Sequence, residues 1–309
     1  MQGFTDYIFR NTFVRHFNGF DGAVSPFIAT PKLVRAKSAH LKDVLPEHNS
    51  AMPLVPQILG NNPDTFVPLA GRLFDLGYAA VNWNLGCPFP VVAKKQRGSG
   101  LLPYPARIQD FLDKTVSSIP NRLSIKVRLG RKTTGEILKL LPIFNQYPLD
   151  EIIIHPRTGT QMYSGAPDLD TFEKCLELSH HRIVYNGDIT DLKSFRDLSD
   201  RFKSIEKWMI GRAAVSNPFL PAIIKAGQDE FTNKVGLFKN FYEDLFEGYQ
   251  QVFSGPGHLL DRMKGFWTYF SQSFENGNKI RKKIHRTHKL QRYLDIVERF
   301  YDEEASWIT

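Results

Sequence analysis

The sequence predicts an α/β protein, a (β/α)8 TIM barrel followed by a small C-terminal all-helical domain. Three observations lead there. Short apolar runs alternate with segments whose apolar residues recur every three or four positions. About eight such units fit in roughly the first 220 residues, the span of one barrel of this kind. From about Gln228 onward the strand signals stop and only helical patterns continue. The expected domains are therefore 1–227 for the barrel and 228–309 for the helices. An open doubly wound sheet fits less well, because no GxGxxG turn follows an early strand.

The elements follow in order. Met1-Gln2-Gly3-Phe4-Thr5-Asp6 reads as the end of a clipped first strand entering a helix from Tyr7 to His16, with Thr5 or Asp6 as N-cap. Strand signals recur at 22–27, 52–59, 79–85, 123–128, 151–155, 183–186 and 208–211. Helical patterns fill most of the gaps: from Asn62-Pro63-Asp64 to Phe74, then 108–116, 137–144, 172–178 and 192–202. In the C-terminal part, helices are expected at 238–250, 258–274 and 280–307.

Composition narrows the class. The chain has 309 residues, 42% of them hydrophobic, enough for a real core. No apolar run approaches the roughly 18 residues that cross a bilayer, and no apolar signal segment opens the chain. Two cysteines, Cys87 and Cys175, point to a reducing cytoplasm rather than a disulfide scaffold. No Cys/His cluster has structural-zinc spacing. The net charge of +8 fits either a polyanion partner or a generally basic surface.

Barrels carry their sites at the C-terminal ends of the strands. The polar residues expected there are Gln57, Asn84 with Cys87, Lys126 with Arg128, His155, Asn186-Gly187-Asp188 and Gly211-Arg212. Each has an ordinary explanation alone, such as a core histidine or a turn glycine. Six strand ends carrying polar groups together point to a site. The loops after the last two strands suit a phosphate, which suggests FMN lying across the mouth. Lys126 would sit beside its electron-rich ring.

These residues carry a resemblance. Asn84-Leu85-Gly86-Cys87-Pro88, with Val92, Lys94, Gly98, Gly100 and Leu101, resembles the cysteine loop of the tRNA-dihydrouridine synthases. Met1 to Asp6, Gln57-Ile58, Lys126 to Gly130, His155 to Thr158, Tyr163 to Gly165, Asn186 to Asp188 and Gly211-Arg212 support it. Arg262 to Trp267 looks most like the bacterial C-type branch, which suggests uridine 16 of the D-loop. The family usually has several residues ahead of the position of Met1, forming strand 1 and a flavin contact.

The resemblance implies reduction of a tRNA uridine by FMN, with NADPH as reductant and a monomer acting on one tRNA. Cys87 would be the proton donor. Met1, Gln2, Gln57, Lys126 and His155 would lie along the flavin, and Asn186, Gly187, Asp188, Gly211 and Arg212 at its phosphate end. Asn84, Arg128 and Tyr163 would face the uridine. The run Lys279, Arg281, Lys282, Lys283 and Arg286, continuing to Lys289 and Arg292, holds no acidic residue and suits the tRNA backbone. Arg262 and Lys264 are further tRNA candidates. Two other readings share the same mouth: a flavin oxidoreductase acting on a small pyrimidine-like metabolite, and a non-catalytic RNA-binding protein.

Overall fold

A computed structural model describes residues 1–30 and 38–308, without the side chains of 38–40. α1 (Tyr7–His16) precedes β1 (Ala23–Val24), β2 (Ile28–Ala29), β3 (Leu54–Val55) and β4 (Gln57–Leu59). α2 (Pro63–Asp75), β5 (Ala80–Leu85), α3 (Pro90–Ala93), α4 (Pro105–Thr115) and β6 (Arg122–Gly130) follow. Then come α5 (Glu136–Phe144), β7 (Leu149–Thr158), α6 (Leu169–Leu178), β8 (Ile183–Tyr185), α7 (Leu192–Arg201) and β9 (Lys207–Trp208). The remainder is helical: α8 (Arg212–Ser216), α9 (Leu220–Ala226), α10 (Lys234–Val252), α11 (Pro256–Phe270), α12 (Gly277–His285) and α13 (Leu290–Arg299).

Seven strands form one parallel sheet in chain order, β2-β4-β5-β6-β7-β8-β9. Parallel neighbours in sequence order, joined by helices, are the barrel connectivity the alternation predicts. β1 pairs with β3 in a separate two-stranded ribbon. The expected clipped first strand is a turn instead. The N–H groups of Phe4 and Thr5 both donate to the Met1 carbonyl at 3.1 Å, and Gly3 has φ +79°. The strand expected at 52–59 is two strands, because Pro56 has no N–H to continue the ladder. Likewise the run at 22–27 yields only β1, and β2 begins beyond Pro26. The helix expected at 280–307 breaks between α12 and α13 and ends in a π-helical turn, Phe300–Glu304. Asp6 is the N-cap of α1 and accepts from the Phe9 N–H at 3.2 Å.

Two apolar clusters form. The first fills the barrel and its outer helices, where Trp83 of β5 stacks on Phe111 of α4 with centroids 4.0 Å apart. The second is aromatic and gathers α10–α13. It also takes in Phe9 and Phe13 of α1, Val215 of α8, and Phe219 and Ile223 from the start and middle of α9. The first helix of the chain thus packs with the last ones. At its centre, Trp267 Nε1 donates to the Tyr293 hydroxyl at 3.0 Å, and that hydroxyl pairs with Tyr242 at 2.7 Å. No helix among the described residues is long and apolar enough to cross a membrane, and no group of side chains there is arranged to hold a metal.

Phe13 is 2% exposed and lies between α1 and this second cluster. Replacing it with alanine should cost about 3–5 kcal/mol through lost burial and a residual cavity. Urea unfolding of Phe13→Ala checks this; a loss below 1 kcal/mol would mean that α1 is only loosely seated.

Candidate active site

The site is built from alternate residues on the strands, which point to one face. On β5 these are Asn82 and Asn84, between the apolar Val81, Trp83 and Leu85. Register sets Gln57 beside Asn82, Asn84 beside Lys126, and Arg128 beside His155. Three buried amides form a chain across the strands. Asn84 Nδ2 donates to Gln57 Oε1 at 2.6 Å, and Gln57 Nε2 donates to Asn82 Oδ1 at 2.7 Å. Asn82 Nδ2 donates in turn to Ser124 Oγ at 2.8 Å.

This chain ends at the cysteine. Asn84 Oδ1 accepts the N–H groups of Gly86 at 3.1 Å and Cys87 at 2.9 Å. The Cys87 carbonyl accepts from Ser99 N at 3.0 Å and Ser99 Oγ at 2.9 Å. Gly98, with φ +55°, lets this close pass occur, since a Cβ there would lie 2.8 Å from Cys87 Cβ. Burial pushes the Cys87 thiol pKa upward, and the Phe89 N–H, Arg128 and Arg131 counter it only in part. The thiol is therefore protonated at neutral pH.

Cations dominate the mouth. Lys126 Nζ donates to Asn186 Oδ1 at 2.6 Å, and Asn186 Nδ2 donates to the Met209 carbonyl at 2.8 Å. Burial, with help from Arg128, lowers the Lys126 pKa to about 7. The same causes that surround His155, burial first and then Lys126, Arg128, Arg157 and Arg212, push its pKa far down, so it is neutral. Arg128 donates through Nε to Gly86 O at 3.0 Å and through Nη1 to Thr158 O at 2.8 Å and Met162 O at 2.6 Å. These bonds use three of its five N–H groups and hold the guanidinium rigid.

Asp188, at φ +40°, answers two arginines. Arg157 Nη1 donates to it at 2.8 Å, and Arg212 Nη2 at 3.1 Å. Burial opposes ionisation of Asp188, but Arg157 and Arg212 outweigh it and keep the pKa below the usual carboxylate value. Arg212 also covers the half-exposed Tyr163 ring, 4.2 Å from its centroid, with Arg128 at 5.4 Å. Gly187 lies against the His155 ring and the Tyr185 hydroxyl. Gly211 faces open space, and the N-terminus of α8 beside it has no side-chain cap.

The structure thus brings Gln57, Asn84, Cys87, Lys126, Arg128, His155, Tyr163, Asn186, Gly187, Asp188 and Arg212 into one bonded neighbourhood, with Gly211 next in chain to Arg212. Burial lowers the Met1 ammonium pKa to about 5, with Arg10 and then Lys126 adding to it, while Gln2 is exposed. Arg157 and Ser99 are part of the same assembly and were not singled out from sequence. Arg157 stands two residues from His155 on β7, so the alternation that placed the histidine also placed the arginine.

The basic candidates are not equivalent. Glu304 returns to α12 and pairs with Lys283 at 2.7 Å and Lys279 at 3.4 Å. Arg281, Lys282 and Arg286 have no ion pair among the described residues. Arg262 lies 3.4 Å from Asp6 and 5.1 Å from the Tyr249 ring centroid, and it donates to the Gly3 carbonyl. Lys264 donates to the Thr287 carbonyl just past α12.

The chain is similar to known proteins along most of its length. The tRNA-dihydrouridine synthase B of Pasteurella multocida is 29% identical over 228 residues, 73% of this chain and 67% of that one. The Vibrio cholerae protein of the same name is 25% identical over 99% of this chain and 95% of its own. A tRNA-dihydrouridine(16) synthase of Vibrio parahaemolyticus is 22% identical over 99% and 96%. Among solved structures, histamine dehydrogenase from Rhizobium sp. 4-9 matches the fold with a TM-score of 0.54 at 11% identity, over 72% of this chain and 44% of that one. A variant of NCR from Zymomonas mobilis matches with 0.53 at 11% identity, over 77% and 88%. The profile of the Dihydrouridine synthase family matches residues 1–305, and the chain belongs to that family.

Proposed function

We propose that this chain reduces the C5–C6 double bond of a D-loop uridine in tRNA, with Cys87 as proton donor, FMN as bound cofactor and NADPH as reductant. Membership of the dihydrouridine synthase family makes it an oxidoreductase that forms dihydrouridine in tRNA. The observation that carries the finer reading is a protonated, backbone-pinned thiol beside a cation-rich mouth. By analogy with the relative named for that position, uridine 16 is the proposed target. The chain would act as a monomer in the cytoplasm.

The residues present suit FMN. Lys126 is a half-buried ammonium whose bonded partner is an amide, not a carboxylate. Its lowered pKa is that of a cation lacking a counter-charge, which an electron-rich ring would supply. Open space at Gly211 and the uncapped N–H groups of α8 offer room and donors for a phosphate. Gln57 and Lys126 would hold the ring, His155 would lie alongside it, and Asn186, Gly187, Gly211 and Arg212 would hold the phosphate end. Asp188 would act by fixing Arg212. FMN held there would supply hydride chemistry for one uracil carbon, with NADPH as the proposed reductant.

The chain's own residues do the rest. Cys87 gives its proton to the other carbon, leaving a thiolate that water or buffer reprotonates. Asn84 and the free Nη2 of Arg128 would meet the uracil edge, and Tyr163 would contact the extruded nucleotide. Extrusion costs a few kcal/mol, which these contacts offset. On α12, Arg281, Lys282 and Arg286 would take phosphates. Lys279 and Lys283 share the single carboxylate of Glu304, which offsets part of their charge.

Cys87→Ala should lower the single-turnover rate about 10²- to 10⁴-fold with flavin content unchanged. Because burial raises the thiol pKa, the wild-type rate should hold past pH 8.5, where a free cysteine is half ionised, and fall only above it. A stopped-flow pH profile checks both; a decline already complete at pH 8 would remove Cys87 as the acid.

FMN should also raise the Lys126 pKa from about 7, so loading of flavin-free protein at pH 8 should take up a proton. Calorimetry in buffers of different ionisation enthalpy measures this uptake, and Lys126→Met should abolish it. On α12, Lys282→Ala should weaken tRNA binding more than Lys279→Ala does, with the rate at saturation unchanged. Equal losses in a filter-binding titration would mean that the Glu304 pairing does not persist on tRNA.

A further inference from the structure

Three loops meet at one point behind the cysteine. The first follows β5 and carries Cys87 and Ser99. The second follows β6 and carries Arg131. The third follows β7 and carries Gly159. Arg131 Nη1 donates to the Pro88 carbonyl at 3.0 Å and to Ser99 Oγ at 3.2 Å. Ser99 Oγ donates onward to the Cys87 carbonyl at 2.9 Å. Ser99 is fully buried and Arg131 half-buried.

The arginine is itself held from behind. Glu136 accepts three successive backbone N–H groups, from Arg131 at 2.9 Å, Lys132 at 3.1 Å and Thr133 at 3.2 Å. The third loop closes over it, as Thr160 N donates to the Arg131 carbonyl at 3.0 Å. Gly159 leaves the space in which Ser99 and Arg131 meet. A Cβ at 159 would lie 2.4 Å from Ser99 Oγ and 2.9 Å from Arg131 Nη1.

We infer that Arg131 is a positioning residue for proton transfer: through Ser99 and the Pro88 carbonyl it fixes both peptides that follow Cys87, and so aims the thiol. Asn84 holds the N–H side of Cys87 and this clamp holds the carbonyl side. Arg131 brings a second effect. Like the Phe89 N–H and Arg128, its charge works against burial at the Cys87 thiol, so it favours the thiolate left after donation. Donation breaks the S–H bond and forms a C–H bond on uracil. The electron pair stays on sulfur, where these positive groups favour it.

The inference rests on Cys87 as the proton donor, so the experiment reads the thiol and the reaction separately. FMN-loaded protein is reduced and mixed with tRNA in single turnover, for wild type, Arg131→Ala, Arg131→Lys, Gly159→Ala and Cys87→Ala. In parallel, iodoacetamide labelling of Cys87 is followed against pH by mass spectrometry; Cys175 is fully buried and serves as the internal reference. Arg131→Ala should slow the turnover about 10- to 100-fold at saturating tRNA, the scale of a small misplacement, with tRNA affinity unchanged. Its labelling midpoint should move to higher pH, because a cation has been removed. Arg131→Lys should return the midpoint and most of the rate. Gly159→Ala, which keeps the charge and breaks the contact, should slow turnover with a smaller shift of the midpoint.

Weaker tRNA binding by Arg131→Ala with full rate at saturation would make Arg131 a phosphate contact and overturn the inference. An unmoved rate and midpoint would overturn it as well. Full turnover by Cys87→Ala would instead overturn the proton-donor reading, while the labelling shift would still report the clamp.

Discussion

The hydrogen bond from the Cys87 N–H to Asn84 Oδ1 joins the sheet to its chemistry. Asn84 belongs to β5, so its position is set by ladders to β4 and β6. Its other side-chain group is held by Gln57, which is held by Asn82. Buried amides of this kind are costly unless every group finds a partner, and here the chain of partners crosses three strands. The cysteine inherits that rigidity although it lies beyond the end of the strand. The barrel interior is thus a polar truss at this end rather than a purely apolar fill.

Charge at the mouth follows the same logic with the opposite balance. Arg157 and Asp188 satisfy one another, whereas Lys126 and part of Arg128 remain without a carboxylate. A protein gains no stability from a half-buried ammonium beside a guanidinium. Such an arrangement is the mark of a site whose missing charge arrives with a ligand. The neutral His155 fits this setting, because an imidazolium among four cations would be expelled.

Much of this was legible in sequence. Short apolar runs, with sites expected at the C-terminal ends of barrel strands, placed Asn84, Lys126, Arg128 and His155 together, and the glycine-punctuated loop marked Cys87. Other features were not legible, for physical reasons. Pro56 and Pro26 interrupt apolar runs that hydrophobicity alone joins, so two strands were drawn too long. Glu304 reaches Lys279 and Lys283 from more than 20 positions away, and no local charge count exposes such a return. Ser99 and Arg131 look like an ordinary loop serine and a surface arginine until three separate loops converge. The role of Arg262 is similarly non-local, since Asp6 and Gly3 lie at the other end of the chain.

That contact and the aromatic cluster shared by α1 and α10–α13 have an architectural consequence. The helical part is not hung from the barrel by one linker; it grips both the first helix and those that follow the last strand. The spacing between the basic face of α12 and the cysteine is then a built-in length, as in a caliper with locked jaws. On the proposed function, a tRNA held by its backbone at one jaw would present to the other only the nucleotide lying that distance away. On that reading, selection among chemically identical uridines would come from the frame itself, with no side chain reading the sequence around them.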